Sequence, residues 1–160
     1  MKQTEVIRTV LVTIAGVFLM LVVQPSLYQA GQINLQDVEP AEWLTNRYYP
    51  SAAIVLGACL TLQVLWYVLA LKFKGDEREV GKKQQQWWIL LTGVFVSIVV
   101  ALFVSTFGDK GSFQALPSLL AFFLLDGAII YWLATAISTP NRALKYIVPG
   151  SFYLRQGLFP

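Results

Sequence analysis

Asp126 is the residue of this chain whose chemistry is hardest to reconcile with its surroundings. It is the only acidic or basic side chain in the apolar run from Pro117 to Ile137, PSLLAFFLLDGAIIYWLATAI. At about 1.5 Å per helical residue it lies roughly 14 Å from one end of that run and roughly 16 Å from the other, near the midplane of a bilayer. An aspartate there costs on the order of 3 kcal/mol. Such a residue normally pairs with another polar group, carries a proton or marks a pathway.

Two further polar side chains are predicted at a similar depth. Measured from the ends of their apolar runs on the same side of the membrane, Gln63 lies roughly 12 Å deep, Ser97 roughly 15 Å and Asp126 roughly 16 Å. No lysine or arginine is predicted at that level. Because burial disfavours the charged form of a carboxyl group, we expect Asp126 to be protonated at neutral pH. It would then donate a hydrogen bond to Gln63, Ser97 or a backbone carbonyl.

The residue types needed for enzymatic chemistry are scarce. The chain has 160 residues, no histidine and one cysteine, Cys59, which excludes His-based catalysis, an intramolecular disulfide and a CxxC metal site. It contains no P-loop and no GxGxxG motif. The acidic residues Asp37, Glu39 and Glu42 do not have the spacing of a calcium loop. We expect no enzymatic activity, no metal and no cofactor, although a non-covalently bound pigment or lipid is compatible with the composition.

Four apolar runs must position these polar groups. Hydrophobic residues make up 56% of the chain and charged residues 13%, whereas soluble domains average about 25% charged residues. Each run reaches roughly the 20 residues that a membrane-spanning helix needs, and none alternates as a barrel strand would. The runs are residues 6–23, 52–71, 87–107 and 117–137. The sequence therefore predicts an all-α membrane protein with four transmembrane helices in an antiparallel up-down bundle.

The basic residues predict the topology. Ten of the twelve Lys and Arg residues lie at the start of the first run, between the second and third runs, or after the fourth, and only Arg47 and Lys110 lie in the other connections. Because cytoplasmic segments are enriched in Lys and Arg, both termini are predicted to be cytoplasmic. The sequence Tyr28-Gln29-Ala30 places a bulky residue where a signal-peptide cleavage site needs a small one. We therefore expect the first run to be an uncleaved anchor.

Small residues recur every four positions in two of the runs, and such stripes let helix backbones approach closely in lipid. The stripes are Ala53, Gly57 and Thr61 in the second run and Gly93, Ser97, Ala101 and Ser105 in the third. We expect these stripes, together with Gly127, to pack within the bundle. A stripe that faced outward would instead be a docking surface for another protein.

The connections carry little recognisable chemistry. The outer connection, residues 24–51, contains a short predicted interfacial helix at 38–46. The inner connection, residues 72–86, is predicted to be a solvated turn. The tail, residues 138–160, interleaves Arg142, Lys145 and Arg155 with aromatic residues. This pattern predicts contact with anionic lipid headgroups or with a groove on a neighbouring subunit.

Two functional hypotheses fit these observations. The first is a non-catalytic membrane subunit, or an assembly or stabilising factor, that binds other membrane-protein subunits through small-residue helix faces and its tail. The alternative is a small ion or solute transporter or channel that uses Asp126, as an oligomer because one four-helix bundle is too narrow for a pore. Nucleic-acid binding is not expected. A prokaryotic plasma membrane and a thylakoid-like internal membrane fit the composition equally.

Overall fold

The described part of the chain is built from helices. A computed structural model describes residues 3–33, 35, 38–73, 77–107, 114–140, 144, 147–151 and 153–154. Four of the helices in these ranges are long and apolar enough to cross a membrane: Thr4–Gln29, Pro40–Leu71, Glu79–Thr106 and Leu116–Ser138. The prediction of an all-α protein with four helices of membrane-spanning length is confirmed.

Three of the four helices contain a π-helical segment. Helix α1 consists of Gln3–Phe18, π-helical Leu19–Val23 and Gln24–Gln29. Helix α2 consists of Pro40–Trp43, π-helical Leu44–Tyr48 and Tyr49–Leu71. Helix α3 is the α-helix Glu77–Thr106. Helix α4 consists of Leu116–Gly127, π-helical Ala128–Leu133 and Ala134–Ser138.

Two prolines explain two of the π-helical segments. The segment Leu19–Val23 ends two residues before Pro25, and Leu44–Tyr48 ends two residues before Pro50. Inside an α-helix a proline has no N–H to donate, and its ring clashes with the carbonyl four residues earlier. A π turn shifts the hydrogen-bond register by one residue and widens the helix at that point. Helices α1 and α2 can therefore pass through their prolines instead of ending there.

This continuity corrects the predicted outer connection. Residues 24–29 belong to α1, and the helix predicted at 38–46 begins at Pro40 and continues directly into α2. It is therefore not a separate interfacial helix. The prediction was wrong because it took the ends of the apolar runs, at Val23 and Ala52, as the ends of the spanning helices.

The inner connection is also shorter than predicted. Helix α3 begins at Glu77, so most of the supposed solvated turn, from Glu77 to Gln86, is helical. Lysine, arginine, glutamine and glutamate are good helix formers, and acidic residues at 77 and 79 suit a helix N-terminus. The start of an apolar run indicates where a helix enters the hydrocarbon. The helix itself can begin several residues earlier.

Polar contacts join the helices at one end of the molecule, which we name the outer end after the predicted topology. The hydroxyl of Tyr28 at the end of α1 lies 2.9 Å from that of Ser118 at the start of α4. Arg47 of α2 donates from Nη1 to the carbonyl of Phe107, directly after α3, at 3.0 Å. A cation at that carbonyl also complements the negative end of the α3 dipole.

A second set of contacts joins the helices at the opposite, inner end. The Ser138 hydroxyl of α4 lies 2.6 Å from Thr9 Oγ1 of α1 and 2.7 Å from Tyr67 Oη of α2. The indole of Trp87 in α3 donates to Thr135 Oγ1 of α4 at 3.2 Å. At each end of the molecule every helix therefore has at least one hydrogen-bonded contact with another helix or with the residue that follows it.

Close packing between the two polar ends depends on glycine. A Cβ at Gly16 of α1 would lie 2.5 Å from Ile130 Cγ1 and 3.1 Å from Ile129 Cγ2 of α4. A Cβ at Gly127 of α4 would lie 3.0 Å from Val94 Cγ1 of α3. Since no side chain fits at Gly16, this glycine sets the distance between α1 and α4.

We predict that Gly16→Ala destabilises the protein. Overpacking of this kind typically costs about 1–3 kcal/mol, and it would appear as a lower thermal unfolding midpoint in detergent. Gly57→Ala is the matched control, because a Cβ there meets nothing within 4 Å and alanine is the better helix former. Equal midpoints for the two variants would show that α1 and α4 do not pack as described.

Candidate functional site

Asp126 lies in the interior of the bundle and hydrogen-bonds to another helix. Its side chain is 0% exposed, and it sits on α4 just before Gly127. Gln24 of α1, 1% exposed, approaches it with Nε2 2.8 Å from Asp126 Oδ1. The second carboxyl oxygen, Oδ2, has no hydrogen-bond partner among the described residues. Asp126 is therefore enclosed, with one of its two oxygens paired.

Tyr48 extends this contact to a third helix. Its hydroxyl lies 2.6 Å from Gln24 Oε1 and 2.6 Å from the backbone carbonyl oxygen of Met20 in α1. The Tyr48 side chain is 0% exposed. Met20, Gln24, Tyr48 and Asp126 thus form a continuous series of hydrogen-bond contacts across α1, α2 and α4, which we call the Asp126 network.

The Met20 carbonyl belongs to this network because of Pro25. In the π-helical segment the N–H of Gln24 donates to the carbonyl of Leu19, five residues earlier. The same register would pair residue 25 with the Met20 carbonyl, but proline has no N–H. A buried carbonyl without a donor is costly in an apolar interior. The Tyr48 hydroxyl supplies the missing donor from α2.

The number of available protons favours one direction of hydrogen bonding in the network. Tyr48 has one hydroxyl proton, so it can donate either to Met20 or to Gln24 Oε1, although both oxygens lie at hydrogen-bond distance. Rotating the Gln24 amide by 180° resolves this conflict, because its NH₂ group then donates to the Tyr48 oxygen while Tyr48 donates to Met20. Gln24 Oε1 then faces Asp126 and needs a proton from that carboxyl group. Each of the three contacts has its own proton only when Asp126 is protonated.

Aromatic rings surround the outer side of the network. The ring centroid of Tyr28 lies 4.7 Å from that of Trp43 and 5.9 Å from that of Tyr48, and Tyr48 lies 6.2 Å from Phe123. The Trp43 indole nitrogen and the Ser51 hydroxyl are buried without a partner among the described residues. The aromatic packing separates Asp126 from the outer surface and keeps its surroundings apolar.

The structure does not bring the predicted polar cluster together. Gln63, 4% exposed, donates from Nε2 to Thr13 Oγ1 of α1 at 3.2 Å. Ser97 donates to the carbonyl of Val94 on its own helix at 2.7 Å. The partner of Asp126 is instead Gln24, which was predicted to lie in the outer connection because the first apolar run ends at Val23. The predicted protonation of Asp126 stays a prediction, and the proton count favours it.

The small-residue stripe of α3 faces the interior. Ala101 and Ser105 are 0% exposed, and a Cβ at Gly93 would lie 3.0 Å from Leu62 Cδ1 of α2. Gly127 makes the equivalent close contact between α4 and α3. These four residues lie at helix–helix contacts inside the bundle.

The stripe of α2 faces the other way. Ala53, Gly57 and Thr61 are all exposed, and a Cβ at Gly57 would meet no atom within 4 Å. The expectation that Gly57 packs within the bundle is therefore wrong. The rotation of α2 is fixed by Tyr48 and Gln63, whose polar ends point inward, and this turns the stripe outward.

The remaining predicted contact residues, Arg142, Lys145 and Arg155, lie outside the described residues. Comparison with protein-family models, with curated proteins and with solved structures finds no match for this chain. Within the described residues no group of three His, Cys, Asp or Glu side chains is arranged to hold a metal ion. The Asp126 network can hold three helices together, and it can keep a proton in the interior.

We predict that Asp126→Asn is nearly silent for stability, whereas Asp126→Leu is destabilising. An asparagine NH₂ group can donate to Gln24 as the protonated carboxyl group does, but leucine leaves a buried amide unpaired at a cost of about 1–3 kcal/mol. Unfolding in detergent followed by circular dichroism measures both. An Asp126→Asn variant as unstable as Asp126→Leu would point to an ionised carboxylate in a charge-stabilised site.

A second prediction concerns the link between Tyr48 and Pro25. Tyr48→Phe removes the donor to the Met20 carbonyl and should destabilise the protein by about 1–3 kcal/mol. In a Pro25→Ala background residue 25 has an N–H, so the same Tyr48→Phe change should cost measurably less. A double-mutant cycle on unfolding free energies measures this coupling. Additive effects would refute the link.

Proposed function

We propose that this chain is a non-catalytic integral membrane subunit, or an assembly or stabilising factor, of a larger membrane-protein complex. It would span the membrane as an antiparallel up-down bundle with cytoplasmic termini and bind a partner helix on the outward face of α2. The observation that carries the proposal is the small-residue stripe formed by Ala53, Gly57 and Thr61, which faces away from the rest of the chain.

The outward face of α2 has the shape and chemistry that helix docking in lipid requires. Small residues at four-residue spacing allow two backbones to approach closely. The Thr61 hydroxyl is already bonded to the Gly57 carbonyl at 2.7 Å, so the face leaves no hydroxyl unpaired there. Towards the inner end the same face continues with Val64 and Val68, which are 62% and 41% exposed. These valines would flank a helix seated over Gly57.

The small-residue stripe on α3 shows how such a face packs when another helix lies against it. At Gly93 the space of the missing side chain is filled by Leu62 of α2. At Gly57 none of the described residues occupies the equivalent space. A partner helix that supplied a leucine or a similar side chain at Gly57 would repeat the internal contact on the outside.

The position of Asp126 supports a structural role for this carboxyl group. It is fully buried and bonded to Gln24, and aromatic rings lie on its outer side. A carboxyl group enclosed in this way holds helices in register. It is one reason to favour a subunit over a transporter.

The alternative is an oligomeric transporter or channel in which Asp126 exchanges a proton or binds a cation. The unpaired Oδ2 of Asp126 is the observation in its favour, because an intramembrane carboxyl group often marks a pathway. This alternative requires proton or ion flux in proteoliposomes that Asp126→Asn abolishes. Flux that is unaffected by the substitution, or no flux, removes it.

Topology and partners outside α2 complete the proposal. The basic residues at the inner end would contact anionic lipids on the cytoplasmic side, and the tail would contribute a second partner contact. The host membrane would be a prokaryotic plasma membrane or a thylakoid-like internal membrane.

We predict that Gly57→Leu releases the partner without unfolding the protein. Its matched control is Ala121→Leu, which adds the same bulk at an exposed small residue of α4. Purification in mild detergent should return the same partner with the wild type and with Ala121→Leu, and little or none with Gly57→Leu. A photo-crosslinking amino acid at position 53 should label that partner, and one at position 121 should not.

Two results would contradict the proposal. The first is a wild-type protein that purifies alone and forms no crosslink from position 53 in intact membranes. The second is a Gly57→Leu variant that keeps its partner as the wild type does, which would place the contact elsewhere.

A further inference from the structure

A second surface feature lies between α3 and α4, on helices that the proposed docking face does not involve. It is a groove with a volume of about 180 Å³. Four apolar residues of α3 between Leu91 and Ile98 line one side, and Gly127, Ala128 and Trp132 of α4 line the other. The single polar atom of Trp132, its indole nitrogen, donates to the carbonyl of Pro149 at 2.9 Å. The lining therefore has no free hydrogen-bond donor.

The groove opens at the surface formed by the described residues. Phe95, which borders it, is 49% exposed, whereas Val94 beneath it is 2% exposed. Gly127 forms part of the floor, where α3 and α4 come into contact through Val94. The groove is thus a slot on the membrane-facing surface with a closed base.

The size of the groove suits a hydrocarbon chain better than a helix. An engineered apolar cavity of about 150 Å³ in another protein binds benzene, so this slot holds roughly six carbon atoms. An α-helix with its side chains is about 10–12 Å across and would cover the slot without filling it. A flexible acyl chain can enter it.

Lys83 lies on the same side of α3 at the inner end. Helix α3 is regular from Glu77 to Thr106, and the eleven residues from Lys83 to Val94 make three turns plus about 20°, with a rise of about 16 Å. Lys83 is partly buried, and no described residue forms an ion pair with it. Lys82 is exposed and points about 100° away from Lys83.

The spacing between Lys83 and the groove matches the geometry of one lipid leaflet. The apolar run of α3 begins at Trp87, so Lys83 lies about 6 Å outside the hydrocarbon, at headgroup level, and Val94 lies about 10 Å inside a leaflet whose hydrocarbon is about 15 Å thick. A phosphate bound at Lys83 would therefore place the distal part of its acyl chain beside Val94, within the groove. The exposed ring of Trp88 lies between these two levels, where aromatic side chains favour the membrane interface.

We propose that Lys83 and the groove between α3 and α4 form a binding site for an anionic phospholipid of the leaflet at the inner end. The lysine binds the phosphate, and the apolar slot holds part of one acyl chain. This site is independent of the helix docking proposed for α2, so either proposal can fail without the other.

Trp132 provides a direct probe of the site, because bromine atoms on an acyl chain quench the fluorescence of an indole that they touch. The purified protein is reconstituted with phosphatidylglycerol as a minor component in phosphatidylcholine. Brominated chains are placed either on the phosphatidylglycerol or on an equal mole fraction of the phosphatidylcholine. The part of the quenching due to Trp132 is the difference between the wild type and Trp132→Phe.

We predict that brominated phosphatidylglycerol quenches Trp132 more effectively than brominated phosphatidylcholine, with an apparent preference of about fivefold, the size that one lysine contributes at an anionic surface. Lys83→Gln should remove this preference, and Lys82→Gln, which removes the same charge beside it, should retain it. Ala128→Phe, which fills the slot, should reduce quenching of Trp132 by both lipids.

Three outcomes would overturn the proposal. Equal quenching by the two brominated lipids in the wild type would mean that the groove does not select an anionic headgroup. Equal losses in Lys83→Gln and Lys82→Gln would mean that the charge acts as a diffuse surface potential. A Trp132 that neither lipid quenches would mean that protein covers the groove.

Discussion

The hydrogen bond from Tyr48 to the Met20 carbonyl is the interaction on which the outer half of this molecule depends. In hydrocarbon an unpaired backbone group costs several kcal/mol, and Pro25 removes the donor that would pair with this carbonyl. The π-helical segment lets α1 continue through the proline, but only a side chain from another helix completes its hydrogen bonding. The carbonyl that Pro25 leaves without a donor in α1 is therefore bonded by a side chain of α2. Gln24, one turn further along α1, extends that contact to Asp126 on a third helix.

The same logic explains how a lone aspartate is accommodated without a cation. If the proton of Tyr48 is committed to Met20, Gln24 must present its NH₂ group to Tyr48 and its oxygen to Asp126. A protonated carboxyl group is the donor that this oxygen needs, whereas an ionised one would face it with charge against a partial negative charge. In that arrangement the predicted neutral acid would be the first donor in a series of hydrogen bonds that ends at the Met20 carbonyl.

The main features of the fold could be predicted because lipid permits few solutions. Four apolar runs of about 20 residues can only be helices when no water is present to bond the backbone, and the structure confirms four such helices. Their ends were predicted less well. Eight of the first ten residues of α3 are polar and lie outside the apolar run, and the helical residues 24–29 of α1 and 40–51 of α2 also lie outside the apolar runs. The partner of Asp126 was missed for this reason, since depth was counted only within runs that stopped before Gln24. The recurrence of a proline two residues after a π-helical segment in both α1 and α2 is visible only once the structure is known.

The rotation of a helix about its own axis is the feature that apolar composition does not encode, and α2 shows why. Lipid and protein interior are equally apolar, so a stripe of small residues can face either without changing the hydrophobic pattern. The polar side chains break this symmetry, because a phenol or an amide in hydrocarbon must turn towards a partner. Tyr48 and Gly57 are nine residues apart, which places them about 180° apart around the helix. Once Tyr48 is bound to Met20, Gly57 faces outward. The hydrogen bond from Tyr48 to the Met20 carbonyl thus also decides which surface of α2 faces outward.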